Sequence, residues 1–192
     1  MSKKPKSQVY FLADNHFGHE NIIKYCNRPF SSVGEMDSVM IERWNWAVRP
    51  KDIVYHLGDF CLGNQETAFK YFKRLNGRIY VVPGGHDKRW IRPNLSYTGP
   101  NCVVRVLPPL YTITLNEQII VLCHYCMRVW PKSHYGSWQL YGHSHGGLPS
   151  IGKQMDVGVD TNSCFPYSLE RIEEIMEKQS NNFNLVKKGK DK

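Results

Sequence analysis

Val81-Val82-Pro83-Gly84-Gly85-His86-Asp87 is the stretch on which the reading of this chain turns. Two β-branched residues close an apolar run, Pro-Gly-Gly breaks it, and an imidazole and a carboxylate follow at once. Such a break leaves the polar side chains at the carboxyl end of a strand, where open α/β sheets bind their ligands. The design recurs along the chain. Gln8–Ala13 runs into Asp14-Asn15-His16, Asp52–Gly58 into Asp59, Gln118–Cys123 into His124, and Trp138–Tyr141 into Gly142-His143-Ser144-His145.

Between the first three of these runs the apolar spacing is helical. Met36, Val39, Met40, Trp44 and Ala47 share one face before Pro50, and Ala68, Phe69, Phe72 and Leu75 share another before Gly77. Strand, helix and strand with short linkers is the pattern of parallel βαβ pairing. Residues 20–34 and 88–101 read as irregular, with Asn27, Pro29, Gly34, Pro93 and Gly99 as punctuation. From Val103 onward, strands follow one another directly, and Asn116-Glu117 is a two-residue hairpin turn. Ser168 can cap a last helix whose apolar face is Leu169, Ile172, Ile175 and Met176. The fold class expected is α/β, two packed sheets with helices outside.

At 192 residues, 41% hydrophobic and 12% aromatic, the chain has material for one well-packed domain, expected over residues 7–178. The ends, 1–6 and 179–192, read as basic or polar tails. No apolar run reaches the ~18 residues of a membrane span, and the start lacks a signal peptide's apolar stretch, so a cytoplasmic chain is expected. The net charge of +8 sits mostly in those tails, which leaves about +2 for residues 7–186 and argues against a dedicated nucleic-acid groove. Six cysteines in a reducing compartment are expected as thiols. Cys123-His124-Tyr125-Cys126 contains one C-x-x-C, but no second pair completes a structural zinc cage.

The polar residues at the strand ends are Asp14, His16, Asp59, His86, His124, His143 and His145, with Asp87 beside His86. Carboxylates and imidazoles together suit borderline divalent ions, Mn, Fe, Zn or Ni, better than Ca or Mg alone. Asp14-x-His16 and His143-x-His145 have a spacing at which each pair can grip one centre. Six ligands exceed the need of one open catalytic ion, and a carboxylate shared between two ions would divide them.

Five segments in order resemble the calcineurin-like metallophosphoesterase superfamily, most closely its small stand-alone bacterial and phage members. They are Leu12-Ala-Asp-Asn-His-Phe-Gly-His19, Val54-Tyr-His-Leu-Gly-Asp59, Pro83-Gly-Gly-His-Asp87, Cys123-His124-Tyr125 and Leu140-Tyr-Gly-His-Ser-His-Gly146, followed by Met155-Asp-Val-Gly-Val-Asp160. The resemblance implies a four-layer α/β/β/α sandwich holding two divalent metal ions, Mn2+ favoured, with Fe, Zn, Ni or Mg as alternatives. It implies that Asp14, His16 and His145 hold the first ion, His124 and His143 the second, and that Asp59 bridges them. A metal-bridging hydroxide would be the nucleophile, and His86, oriented by Asp87, would protonate the leaving group.

One position departs from the pattern. Where the superfamily reads Gly-Asn-His-Asp and uses the Asn oxygen as a ligand of the second ion, this chain has Gly85. Asn15 and Asn162 are the candidates to replace that oxygen. The activity expected is phosphoester hydrolysis, on phosphodiesters of nucleotides or nucleic-acid ends, with no membrane and no obligate protein partner. A phosphomonoesterase acting on a small phosphate, and a catalytically weak metal- or phosphate-binding module, are the alternatives; a structural zinc protein built on Cys123, His124 and Cys126 is a remote third. Arg28, Lys88, Arg89 and Arg128 lie near the motifs and could grip phosphate oxygens. Trp90, Trp130, Tyr135 and Trp138 could stack on a base. His19 and His56 flank motif positions as possible supporting partners.

Overall fold

Val9–Leu12 (β1), Ile53–His56 (β2) and Gly77–Val81 (β3) pair in parallel, Leu12 opposite His56 and His56 opposite Val81. The coordinates are a computed structural model describing residues 7–92 and 95–186; the basic ends 1–6 and 187–192, and Pro93, lie outside the described residues. Cys102–Val106 (β5) continues the parallel set beside β3. Ser96–Thr98 (β4) and Tyr167–Ser168 (β10) close its two edges antiparallel, giving the order β10-β1-β2-β3-β5-β4.

The second sheet has the order β6-β7-β8-β9, built from Leu110–Leu115, Gln118–Cys123, Trp138–Tyr141 and Gln154–Asp156. β6 and β7 form the expected hairpin, with Asn116 and Glu117 both at positive φ (46° and 65°), as a primed two-residue turn requires. β8 runs parallel to β7, so the strands ending in His124 and His143 point the same way.

Alternation along the strands divides the core. Leu12, Val54, Ile79 and Val104 pack with helix α2 (Val33–Ala47) and helix α3 (Gln65–Phe72), while Phe11, Ala13, Leu57 and Val82 pack with Ile120, Leu122 and Leu140 of the second sheet. This is the two-sheet α/β sandwich with helices expected from the sequence. The helix starts are chemically marked: Ser32, Asn64 and Ser168 each accept a hydrogen bond from the backbone N–H three residues on, contributing about 1 kcal/mol apiece. The last of these opens α4 (Leu169–Lys178), whose Leu169, Ile172 and Met176 join the core between the sheets.

Three expectations change. Residues 88–101 are not wholly irregular, since Ser96–Thr98 form the edge strand β4, too short to read from its residues. Residues 20–34 are not wholly irregular, since Glu20–Tyr25 form a short helix, α1, that carries no side-chain cap and is too short for a periodic signal. The domain does not end at residue 178. Asn182 is buried and donates to Ser133 O and Ser137 O at 2.8 and 3.0 Å, and Val186 N donates to His134 O, so 179–186 is packed structure. Among the described residues no helix is long and apolar enough to cross a membrane.

Candidate metal centre

Because β1, β2 and β3 are parallel, and β7 and β8 are parallel, five strands deliver their carboxyl ends to one edge of the sandwich. The chain leaves those strands through left-handed backbone. Asp14, His16, Asp59, His143 and His145 all have φ between 47° and 69°. Non-glycine residues hold that conformation at a cost of roughly 1–3 kcal/mol each, and only where the surroundings enforce it. Enforcement here comes from backbone pairing between the turns: Asp14 N to Gly58 O, His16 N to Asp59 O and Gly142 N to His124 O, each 3.0 Å.

Asp59 Oδ2 is the focus. His124 Nε2 lies 3.4 Å from it, His16 Nε2 3.6 Å and His86 Nε2 4.0 Å. Three donor groups converge around this point, each compact enough to hold a metal ion: Asp14 with His16 and His145, Asp59 with His124 and His143, and His16 with Asp59 and His86. The pair His143-x-His145 does not grip one centre, as its spacing suggested; the left-handed turn splits it between two groups.

The donor atoms fit a cation. Asp14 Oδ1, His16 Nε2 and His124 Nε2 are buried without a hydrogen-bond partner in the protein, and a buried polar group in that state costs about 1–3 kcal/mol. Partners on the far side set the tautomers. His124 Nδ1 lies 2.7 Å from Leu57 O, to which it donates, which leaves the Nε2 lone pair facing Asp59. His145 Nδ1 lies 2.7 Å from Asp160 Oδ2 in the same arrangement. Burial pushes the Asp14 carboxyl up to about 7 and the His16 imidazole down to about 3. His124 is opposed by burial, but the Asp59 carboxylate 3.4 Å away carries it up to about 9. A bound cation reverses this balance by displacing the protons.

The glycines of the opening stretch differ in kind. A Cβ on Gly84 would run into Asp59 Oδ1 and lie 2.6 Å from Asp59 N, so this position admits no side chain. Gly85 has ordinary helical backbone (φ −65°, ψ −39°), and its Cβ would meet nothing closer than Tyr125 Oη at 3.4 Å. Neither conformation nor space requires glycine there. Neither proposed replacement for the missing ligand faces the centre. Asn15 Oδ1 is 2.9 Å from His56 Nε2, and Asn162 Nδ2 donates to Phe165 O.

Asp87 does not orient His86. Its carboxylate accepts from Asp59 N, Gly84 N and Trp90 Nε1 at 2.8 Å and from Phe60 N at 2.9 Å, and it is wholly buried. It ties the turn after β2 to the turn after β3. His86 sits at the rim, its side chain 44% exposed.

The arginines also fall elsewhere. Arg28 is 6% exposed; Nε and Nη2 bond Asp160 at 2.7 and 2.8 Å, while Nη2 and Nη1 donate to the carbonyls of Asp14 and Asn15. Its fifth N–H, on Nη1, points to Met36 Sδ at 3.4 Å, so it is a brace under the Asp14 turn with no donor left for substrate. Arg89 is exposed outside the cavity, and Arg128 lies over the Phe183 ring, 4.3 Å from its centroid. Trp90 and Trp130 are buried rather than available for stacking. Cys123 and Cys126 belong to no ligand group among the described residues, and His124 faces Asp59 instead.

Sequence reasoning missed the supporting acids. Asp160 links Arg28 to His145, and Asp156 accepts from Ser144 Oγ, Gly146 N and Gly158 N, shaping the turn that carries both histidines. Their signal was present in Met155-Asp-Val-Gly-Val-Asp160, a short apolar run with acids at alternating ends. His56 does act as a support: it is fully buried, and Gly58 N donates to its Nδ1, so its Nε2 donates to Asn15. Burial lowers its imidazole to about 3. Above pH 6.5 both folded and unfolded chains keep this ring neutral; below it only the unfolded chain takes the proton. His56 therefore removes stability by up to about 1.4 kcal/mol per pH unit as pH falls toward 3. Urea titrations from pH 7 to 4 should show a shallower decline in His56→Gln.

The fold and the cluster together define an α/β sandwich protein with a histidine- and aspartate-rich edge whose donor groups could hold metal ions. No family model matches the chain. It is 35% identical over 181 residues to the uncharacterized protein MJ1445 of Methanocaldococcus jannaschii, spanning 89% of this chain and 92% of that one, and it belongs to that protein's family. Among solved structures, the protein of unknown function AQ665 from Aquifex aeolicus shares the fold, with a TM-score of 0.63 and 21% identity over 88% of this chain and 100% of that one. A conserved uncharacterized protein of Streptococcus pneumoniae TIGR4, described as a predicted phosphoesterase, has a TM-score of 0.35 at 17% identity over 81% of this chain and 73% of that one, too slight a likeness to carry an argument.

Proposed function

We propose that the chain is a metal-dependent phosphoester hydrolase of the calcineurin-like superfamily, acting in the cytoplasm on phosphodiesters in preference to monoesters. The observation that supports this reading most is the convergence on Asp59 Oδ2 of imidazole nitrogens from three different strand ends, within 4.0 Å. Asp14, His16 and His145 would hold one divalent ion and His124 and His143 another, with Asp59 between them. Bound there, such ions, Mn2+ favoured over Fe, Zn, Ni or Mg, would polarise phosphoryl oxygens and bring a water's pKa toward neutrality. His86 at the rim then has the exposure and the imidazole chemistry to give a proton to the departing oxygen. Hydrolysis of bis(p-nitrophenyl) phosphate by the Mn2+-loaded chain, faster than that of p-nitrophenyl phosphate, is the expected result. Turnover of neither ester would remove the hydrolase reading.

A weaker metal- or phosphate-binding module is favoured by one observation, the missing side chain at Gly85. Since its backbone and the space toward Tyr125 Oη accommodate a side chain, Gly85→Asn is expected to fold normally. It should tighten the weaker metal step about 10-fold or more, as ligand-shell changes typically do. Calorimetric Mn2+ titration of the two chains checks this. An unchanged isotherm would show that the second group does not hold metal through this position.

A further inference from the structure

The cavity over the ligand cluster has two unlike walls. Its volume is about 730 Å3, the range of small-molecule sites. One wall is the cluster itself; the other is α1 and its flanks, with His19, Ile22, Tyr25 and Asn27. Among the described residues no lysine or arginine lines it. Of the cations near the motifs, Arg28 is spent on Asp160 and two backbone carbonyls, and Lys88 and Arg89, just after His86, are exposed and do not line the cavity.

The two walls are joined by a run of rings. His16 and His86 lie 5.0 Å apart between centroids, His86 and His19 5.7 Å, and His19 and Tyr25 6.3 Å. The run starts at the metal-facing His16, passes the proposed proton donor and ends on α1. An oxygen protonated by His86 carries its leaving group toward His19 and Tyr25. Tyr25 is 74% exposed, so its ring face is free for a ligand, whereas Ile22 beneath it is 4% exposed and fixed in the core. The helix is tied to the cluster at both ends, by His19 N to His16 O at 3.0 Å and by Arg28, just past its C-terminus, which donates to the carbonyls of Asp14 and Asn15.

We infer that the α1 wall is the leaving-group subsite, and that it takes an uncharged aromatic or heterocyclic group, so that the substrate is an ester carrying a single phosphate. The inference rests on the phosphoester reading. Polyphosphates and nucleic-acid strands bring further anionic charge that proteins meet with lysine and arginine, and among the described residues none lines this cavity. An aromatic leaving group finds a ring to stack on, an apolar floor at Ile22 and the polar side chains of His19 and Asn27 at the two ends of the helix.

Equilibrium binding of non-hydrolysable phosphonates to the Mn2+-loaded chain tests this without turnover. Phenylphosphonate is expected to bind more tightly than methylphosphonate or pyrophosphate. Tyr25→Ala should weaken phenylphosphonate roughly 5- to 100-fold, the usual weight of an aromatic stack, and leave methylphosphonate unchanged, with Tyr25→Trp restoring the preference. Equal losses for both phosphonates, no loss for either, or tighter binding of pyrophosphate would overturn the subsite. If phenylphosphonate binds as expected but no ester is turned over, the subsite stands and the hydrolase reading falls. If esters are turned over with no preference for an aromatic leaving group and Tyr25→Ala is silent, the reverse holds.

Discussion

Asp59→Asn is expected to abolish both metal uptake and hydrolysis. The substitution keeps shape and keeps an acceptor for His86 N, which bonds Asp59 Oδ1 at 2.9 Å, so the turn after β2 remains intact. What it removes is the negative charge at the point where His16, His86 and His124 converge. The loss should exceed the roughly 100-fold typical of a supporting partner, because a shared ligand serves both donor groups. Metal content after dialysis, together with a circular dichroism melt, separates this from misfolding. The neutral residue removes the counter-charge of buried His124, and its new amide N–H2 faces the unpartnered Nε2 atoms of His16 and His124, so the melt should change far less than metal content. Normal metal content in Asp59→Asn would mean that the converging imidazoles serve packing rather than coordination.

Asp87→Ala should instead be a folding defect. Four donors, three of them backbone N–H groups, lose their acceptor inside the protein. At about 1–3 kcal/mol for each buried group left unpaired, the total is at least about 4 kcal/mol, a large part of the 5–15 kcal/mol that holds a domain together. The expected outcome is a large fall in the urea midpoint or insoluble protein. Had Asp87 served to orient His86, the same substitution would leave the midpoint intact and alter only the pH dependence of turnover. A soluble variant with unchanged stability and a shifted pH profile would restore that role.

The contrast between Asp87 and Asp59 shows where sequence reading reached and where it stopped. Apolar runs ending in Asp or His located every strand end that meets at the cluster, because strand polarity and burial are local properties written in residue order. Which side chain faces which is not local. Asp87 stands next to His86 in sequence, yet it turns inward to Asp59 N and Phe60 N across 28 and 27 residues. Arg28 likewise looked like a free surface cation, and only the fold, by bringing Asp160 132 residues away against it, makes it a buried brace. Helix α1 escaped notice because six residues without a cap give no periodicity, although they form one wall of the cavity. The left-handed residues Asp14, His16, Asp59, His143 and His145 are not themselves glycines, although Gly58, Gly142 and Gly146 flank three of them. Their conformation is imposed by pairing between turns, which residue order does not display.

The most direct measurement is a calorimetric titration of the metal-stripped chain with Mn2+, in parallel with Asp59→Asn. Two ions per chain, with uptake lost at both in the variant, is the predicted result. A single ion, or two ions bound as well by Asp59→Asn as by the natural sequence, would contradict a centre organised around Asp59.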